Sequence, residues 1–73
     1  MDNTPVRGVV AESLAAGLYR VRLDDGREKL CYVAGKMKHN KIRVLIGDKV
    51  DVIVDLYGGT ATNRIVKRID REH

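Results

Sequence analysis

Aromatic residues, cysteine, proline and long apolar runs are all scarce in this chain of 73 residues. Each shortage excludes something. Cys31 is the single cysteine, so no intramolecular disulfide can form. One thiol with His39 and His73 cannot build a four-ligand zinc site. Ser13 is the only serine, and no Gly-x-Ser-x-Gly surrounds it. His39 sits among cations with no obvious orienting carboxylate, so a nucleophile with its base is missing. Gly58-Gly59 lacks the Gly-Lys-Ser/Thr that a phosphate loop needs. Asp24 and Asp25 are neighbours in a turn sequence, where adjacent carboxylates point apart. Neither enzyme chemistry nor a cofactor nor a metal is therefore expected. The longest apolar run, Leu14–Tyr19 with Gly17 allowed, is too short for a membrane span or a signal-peptide core. A cytoplasmic protein with no membrane partner is the expectation.

What is present is a globular composition with a charged surface. Hydrophobic residues make up 44% and charged residues 33%, which separates the chain from disordered sequences. At this length one domain, residues 1–73, is expected, burying about 60% of the unfolded surface. Residues 1–5 and 70–73 are expected to fray. The net charge is +4. Residues 1–34 balance five basic against five acidic side chains. Residues 35–49 carry Lys36, Lys38, Lys41, Arg43 and Lys49 against Asp48 alone. Residues 63–73 add Arg64, Lys67, Arg68 and Arg71 against Asp70 and Glu72. Basic charge concentrated in one segment points to a polyanionic partner.

The hydrophobic pattern is that of short strands. Val6–Ala11 is apolar and β-branched, with Gly8 as a bulge or bend. Leu14–Gly17 reads as a turn. Leu18–Leu23 alternates, with Tyr19, Val21 and Leu23 on one face and Leu18, Arg20 and Arg22 on the other. Asp24-Asp25-Gly26 is a hairpin signal, because tight turns need residues that tolerate positive φ. The return strand Arg27–Val33 places Cys31 and Val33 inward and Leu30 and Tyr32 outward. Cys31 reads as a buried structural thiol. Gly35–Lys41 suits a short helix or ordered basic loop anchored by Met37. Ile42–Leu45 reads as a further extended piece. Val50–Asp55 turns Val50, Val52 and Val54 inward, and Arg64–Ile69 is the last strand. Gly58–Thr62 reads as a flexible loop. Five short strands with a helix or basic loop between the third and fourth fit an all-β, five-stranded oligonucleotide-binding barrel, whose closure removes exposed edges. An SH3-like barrel is the rival.

The cations lead to the binding reading. Lys36, Lys38, Lys41 and Arg43 lie within eight residues of one another. The outward face of the second and third strands would add Arg20, Arg22 and Tyr32. Cations beside an aromatic make a platform for phosphates and stacked bases. Tyr32 has two readings here, an exposed stacking residue or a partly buried strand residue. His39 reads as a solvated or phosphate-facing loop residue. A solubilising charged face is the plainer alternative for the basic run.

Gly35–Val50 reads Gly-Lys-Met-Lys-His-Asn-Lys-Ile-Arg-Val-Leu-Ile-Gly-Asp-Lys-Val. This segment resembles the central signature of bacterial translation initiation factor one, and Leu18–Leu23 with Asp25-Gly26 resembles the hairpin before it. Gly8-Val9-Val10 and Arg64-Ile65-Val66 also fit. The resemblance implies a barrel of the S1 type, monomeric and non-enzymatic. It implies binding to the small ribosomal subunit at the decoding A site, with contacts to ribosomal RNA and a ribosomal protein. It further implies action with initiation factors two and three, keeping initiator tRNA out of that site. The family's binding positions map onto Lys36, Lys38 and Arg43, its loop tyrosine onto Tyr57, and its last-strand arginine onto Arg64. Two departures stand out: Gly58–Thr62 is uncharged where the family carries charges, and Lys67 stands where an aromatic is usual. A general single-stranded RNA binder of cold-shock style is the runner-up. Such proteins use several surface aromatics, and this chain has three tyrosines with no Phe or Trp.

Overall fold

The computed structural model describes residues 4–54 and 63–69. Five strands close into a barrel: β1 (Val6–Ala15), β2 (Leu18–Leu23), β3 (Glu28–Val33), β4 (Lys49–Ile53) and β5 (Arg64–Arg68). A five-residue helix, α1 (Gly35–His39), lies between β3 and β4. Around the barrel the order is β1-β2-β3-β5-β4. Only β3 and β5 pair in parallel; the other four pairs are antiparallel. The expected Tyr57 contact and the loop Gly58–Thr62 lie outside the described residues, as do the terminal stretches 1–3 and 70–73.

The inward residues follow the period of two. Val10, Val21, Leu23, Cys31, Val50, Val52 and Ile65 are buried. Tyr19, Val33 and Val54 are half-buried and pack against them. Met37 plugs the barrel from α1, and Val44 from the segment before β4. A tight core of β-branched side chains is what a small barrel interior admits.

Three local readings are corrected. First, β1 runs on to Ala15, so the expected turn shrinks to Ala16 and Gly17, where Gly17 takes φ +75°. The register shows why the alternation misleads. Ala11 and Leu14 are extra residues relative to β2, since Val10 faces Val21 while Glu12 faces Arg20, and Ser13 faces Tyr19 while Ala15 faces Leu18. Each bulge shifts the period by one and adds the bend that a closing strand needs. Second, Gly8 is not at either bulge. A Cβ there would lie 2.7 Å from Val21 Cγ1 and 2.8 Å from the Arg22 carbonyl oxygen, so glycine permits a close strand approach. Third, Ile42–Leu45 pairs with no strand. The Asp48 carboxylate accepts the Leu45 amide at 2.8 Å, and the Gly47 amide donates to the Val10 carbonyl at 2.8 Å, closing the turn at Ile46-Gly47 that follows the segment.

The Asp24-Asp25-Gly26 turn matches its reading. The Gly26 amide donates to the Leu23 carbonyl at 2.9 Å, and Gly26 has φ +93°. Asp25 accepts the Arg27 backbone amide, which with the Arg27 guanidinium holds its carboxyl below the usual range.

Candidate nucleic-acid interface

Helix α1 exists because of its anchor rather than its caps. Ala34 supplies no side-chain cap, and the first turn holds no acid. Instead the Ala34 amide donates to the Ile65 carbonyl at 2.9 Å, and Met37 is only 2% exposed. The helix is thereby pinned over the barrel end, and Lys36, Lys38 and His39 project from its other faces, all exposed. Lys36 and Lys38 stand in the last turn, where the helix dipole favours positive charge.

The helix ends in a Schellman turn. The Ile42 amide donates to the Met37 carbonyl at 3.0 Å and the Lys41 amide to the Lys38 carbonyl at 3.1 Å. Lys41 takes φ +57°, the left-handed conformation that this turn usually gives to glycine. Arg43 follows, exposed, and its carbonyl accepts Arg68 Nη1 at 2.8 Å. So Lys36, Lys38, His39, Lys41 and Arg43 come together on one short helix and a loop tied at both ends.

A shallow groove of about 330 Å³ runs between this segment and the ends of β2 and β3. Lys38, Lys41 and Arg43 line one wall, Gly17, Tyr19 and Val33 the other. The Lys38 side chain rests on the β1–β2 turn, 3.3 Å from where a Gly17 Cβ would sit. Tyr19 was not among the expected binding residues. Its inward period is real, yet it sits at the barrel end, half-buried, beside three cations.

Arg64 and Tyr32 form a second group. They are register partners across the parallel β3–β5 pair, and Tyr32 is 39% exposed. Asn63 makes this junction and escaped the sequence reading: its carbonyl accepts the Tyr32 amide at 3.0 Å and its side chain donates to the Leu30 carbonyl at 3.2 Å.

Arg20 and Arg22 share the outward face of β2–β3 with Tyr32, as expected, but each is paired with an acid. Arg20 Nη1 bonds Glu12 at 3.0 Å, and Arg22 Nη2 bonds Glu28 at 3.1 Å. Each is a direct cross-strand partner of its acid, as Arg7 is of Asp51. Their charge is offset locally, whereas among the described residues no ion pair involves Lys36, Lys38, Lys41, Arg43, Arg64, Lys67 or Arg68. No described cluster of His, Cys, Asp and Glu fits a metal ion. No helix among the described residues is long and apolar enough to cross a membrane.

Comparison with known proteins matches residues 2–73 to the family described as Translation initiation factor 1A / IF-1. The chain is similar to the solution structure of translation initiation factor one from the Wolbachia endosymbiont of Brugia malayi. Identity is 40%, with 92% of this chain and 78% of that chain covered and a TM-score of 0.73. The barrel also resembles part of the crystal structure of YjeQ from Thermotoga maritima. There the identity is 24%, the coverage 94% of this chain and 24% of that one, and the TM-score 0.77. YloQ, a circularly permuted GTPase, matches likewise at 21% identity, covering 93% of this chain and 23% of its own, with a TM-score of 0.77. These two share the fold.

Proposed function

The chain belongs to the translation initiation factor 1A / IF-1 family, and we propose that it binds the small ribosomal subunit at the decoding A site through contacts to ribosomal RNA and a ribosomal protein. The observation that carries this reading is the unpaired cation set Lys36, Lys38, Lys41 and Arg43, held on a helix and loop that the barrel fixes. RNA phosphates meet these side chains and release condensed counterions, which supplies the affinity. Pinning the segment before binding reduces the ordering cost at association. No bond is made or broken. Occupancy is the activity: a bound barrel sterically denies the site to initiator tRNA. Initiation factors two and three act alongside it on the same subunit.

The aromatic inventory supports structured RNA as the target. Tyr32 beside Arg64 is the one exposed aromatic among the described residues, whereas a general single-strand binder uses several.

Competition is the decisive experiment. Labelled protein bound to isolated small subunits should be displaced by an anticodon stem-loop directed to the A site and retained when tRNA fills only the neighbouring site. Its retention should rise when factors two and three are added. Displacement by free single-stranded RNA at equal concentration would instead favour the cold-shock reading.

A further inference from the structure

A second groove, between α1 and β5, carries a cation that sequence reasoning assigned to nothing. It has a volume of about 480 Å³, within the range of roughly 300–1,000 Å³ in which ligand sites fall. It lies on the opposite side of α1 from Lys38. Lys36 stands on the helix wall and Lys67 and Arg68 on the strand wall. Met37, Ile42 and Val66 supply apolar lining between them.

Lys67 reaches this position through a bulge. Val52 faces Ile65 while Asp51 faces Lys67, so Val66 is an extra residue in β5. Strict alternation from buried Ile65 would turn Lys67 into the core. The bulge turns it out instead, and it is exposed. Its register partner Asp51 is bonded by Arg7 Nε at 2.7 Å and forms no ion pair with Lys67. Lys67 therefore faces a groove whose far wall holds Lys36, and among the described residues neither lysine has an acidic partner within 4 Å. Like charges on facing walls repel, and a bound anion between them removes that repulsion.

We propose that the α1–β5 groove is a second RNA-backbone site, in which Lys36 and Lys67 hold one phosphodiester group from opposite walls while its sugar lies along Ile42 and Val66. It rests on the RNA-binding reading above and extends it to β5.

The test measures binding of wild type, Lys67→Ala, Lys67→Glu and Arg27→Ala to small subunits at four salt concentrations. Arg27 is a cation paired with Asp25 at 2.7 Å on the far hairpin, so Arg27→Ala changes net charge equally without touching the groove. Lys67→Ala should weaken binding several-fold and reduce the log–log salt slope by roughly 0.7–0.9, the value for one lost phosphate contact. Lys67→Glu should weaken it further. Arg27→Ala should leave the slope unchanged. An unaltered slope for Lys67→Ala, or an equal change for Arg27→Ala, overturns the proposal. If wild type fails to bind subunits at all, the ribosomal reading fails separately. The groove is then judged by titrating isotope-labelled protein with a short RNA hairpin: shifts at the Val66 and Lys67 amides that Lys67→Ala abolishes support it, and unmoved amides overturn it.

Discussion

At the residue scale, Lys41 shows a cost kept for a purpose. A left-handed backbone costs a non-glycine residue roughly 1–2 kcal/mol, and glycine returns about 0.5–1 kcal/mol of that through its looser unfolded chain. Lys41→Gly should therefore stabilise the fold by up to about 1 kcal/mol in urea denaturation, while weakening RNA binding because a cation is lost from the Lys38 groove. A destabilised variant with full binding would contradict the role given to Lys41. Cys31 illustrates the opposite, a residue whose chemistry is suppressed. Burial pushes its thiol from an ordinary 9.0 up to about 11, with Lys29 pulling modestly the other way. The folded value exceeds the unfolded one, so the linked stability is complete below pH 9 and is lost as pH rises from 9 toward 11. The stability difference between wild type and Cys31→Ala should narrow over that interval. A constant difference would mean the thiol titrates alike in both states.

At the element scale, the segment from α1 to β4 matters most, because it carries the cations without being a strand. Its ends are fixed by Arg68 on the Arg43 carbonyl, by Asp48 on the Leu45 amide and by Gly47 on Val10. Asp48 is buried, so Asp48→Ala strands the Leu45 amide. The expected cost is about 1–3 kcal/mol, with weaker RNA binding although Asp48 itself faces no ligand. Full binding by a destabilised Asp48→Ala protein would show that the loop needs no such tie. How much of this was legible depends on the physics involved. Alternation in Leu18–Leu23 and the Asp-Gly turn made the β2–β3 hairpin readable, because a side-chain period of two is written directly in the residues. The bulges at Ala11, Leu14 and Val66 were not, since an extra residue is defined only by the partner strand. That is also why Lys67 could not be placed on either face beforehand. The basic run was legible because its residues are near in sequence. The neutralisation of Arg20 and Arg22 was not, because Glu12 and Glu28 reach them only through cross-strand register.

At the scale of the whole molecule, paired and unpaired cations are spread unevenly around one barrel, with Lys29 on β3 and Lys49 on β4 also without ion pairs among the described residues. The β1–β2–β3 side pairs its arginines across strands, Arg20 with Glu12 and Arg22 with Glu28, and Arg7 pairs with Asp51 on β4. The side bearing α1, its loop and β5 leaves Lys36, Lys38, Lys41, Arg43, Lys67 and Arg68 without ion pairs among the described residues. A net charge of +4 is thus a poor guide by itself. The unpaired cations set the field that RNA meets, and the pairs contribute little to it. Two sets of substitutions separate these contributions. Lys38→Ala or Arg43→Ala should weaken binding to small subunits and flatten its salt dependence, since fewer counterions are released. Both residues are exposed, so folding stability should stay within about 0.5 kcal/mol of wild type. Glu12→Gln works in the other direction. It removes no contact to RNA but frees Arg20 from its partner, so binding should be unchanged or modestly tighter. Arg22→Ala should change the slope less than Lys38→Ala, although both remove one positive charge, because Glu28 already offsets Arg22. Titration of labelled protein at several salt concentrations reads all four variants on one scale. Equal slopes for Arg22→Ala and Lys38→Ala would mean that RNA senses only the total charge. Unequal slopes, with the larger loss at Lys38, would mean that it senses which cations the fold has left unpaired.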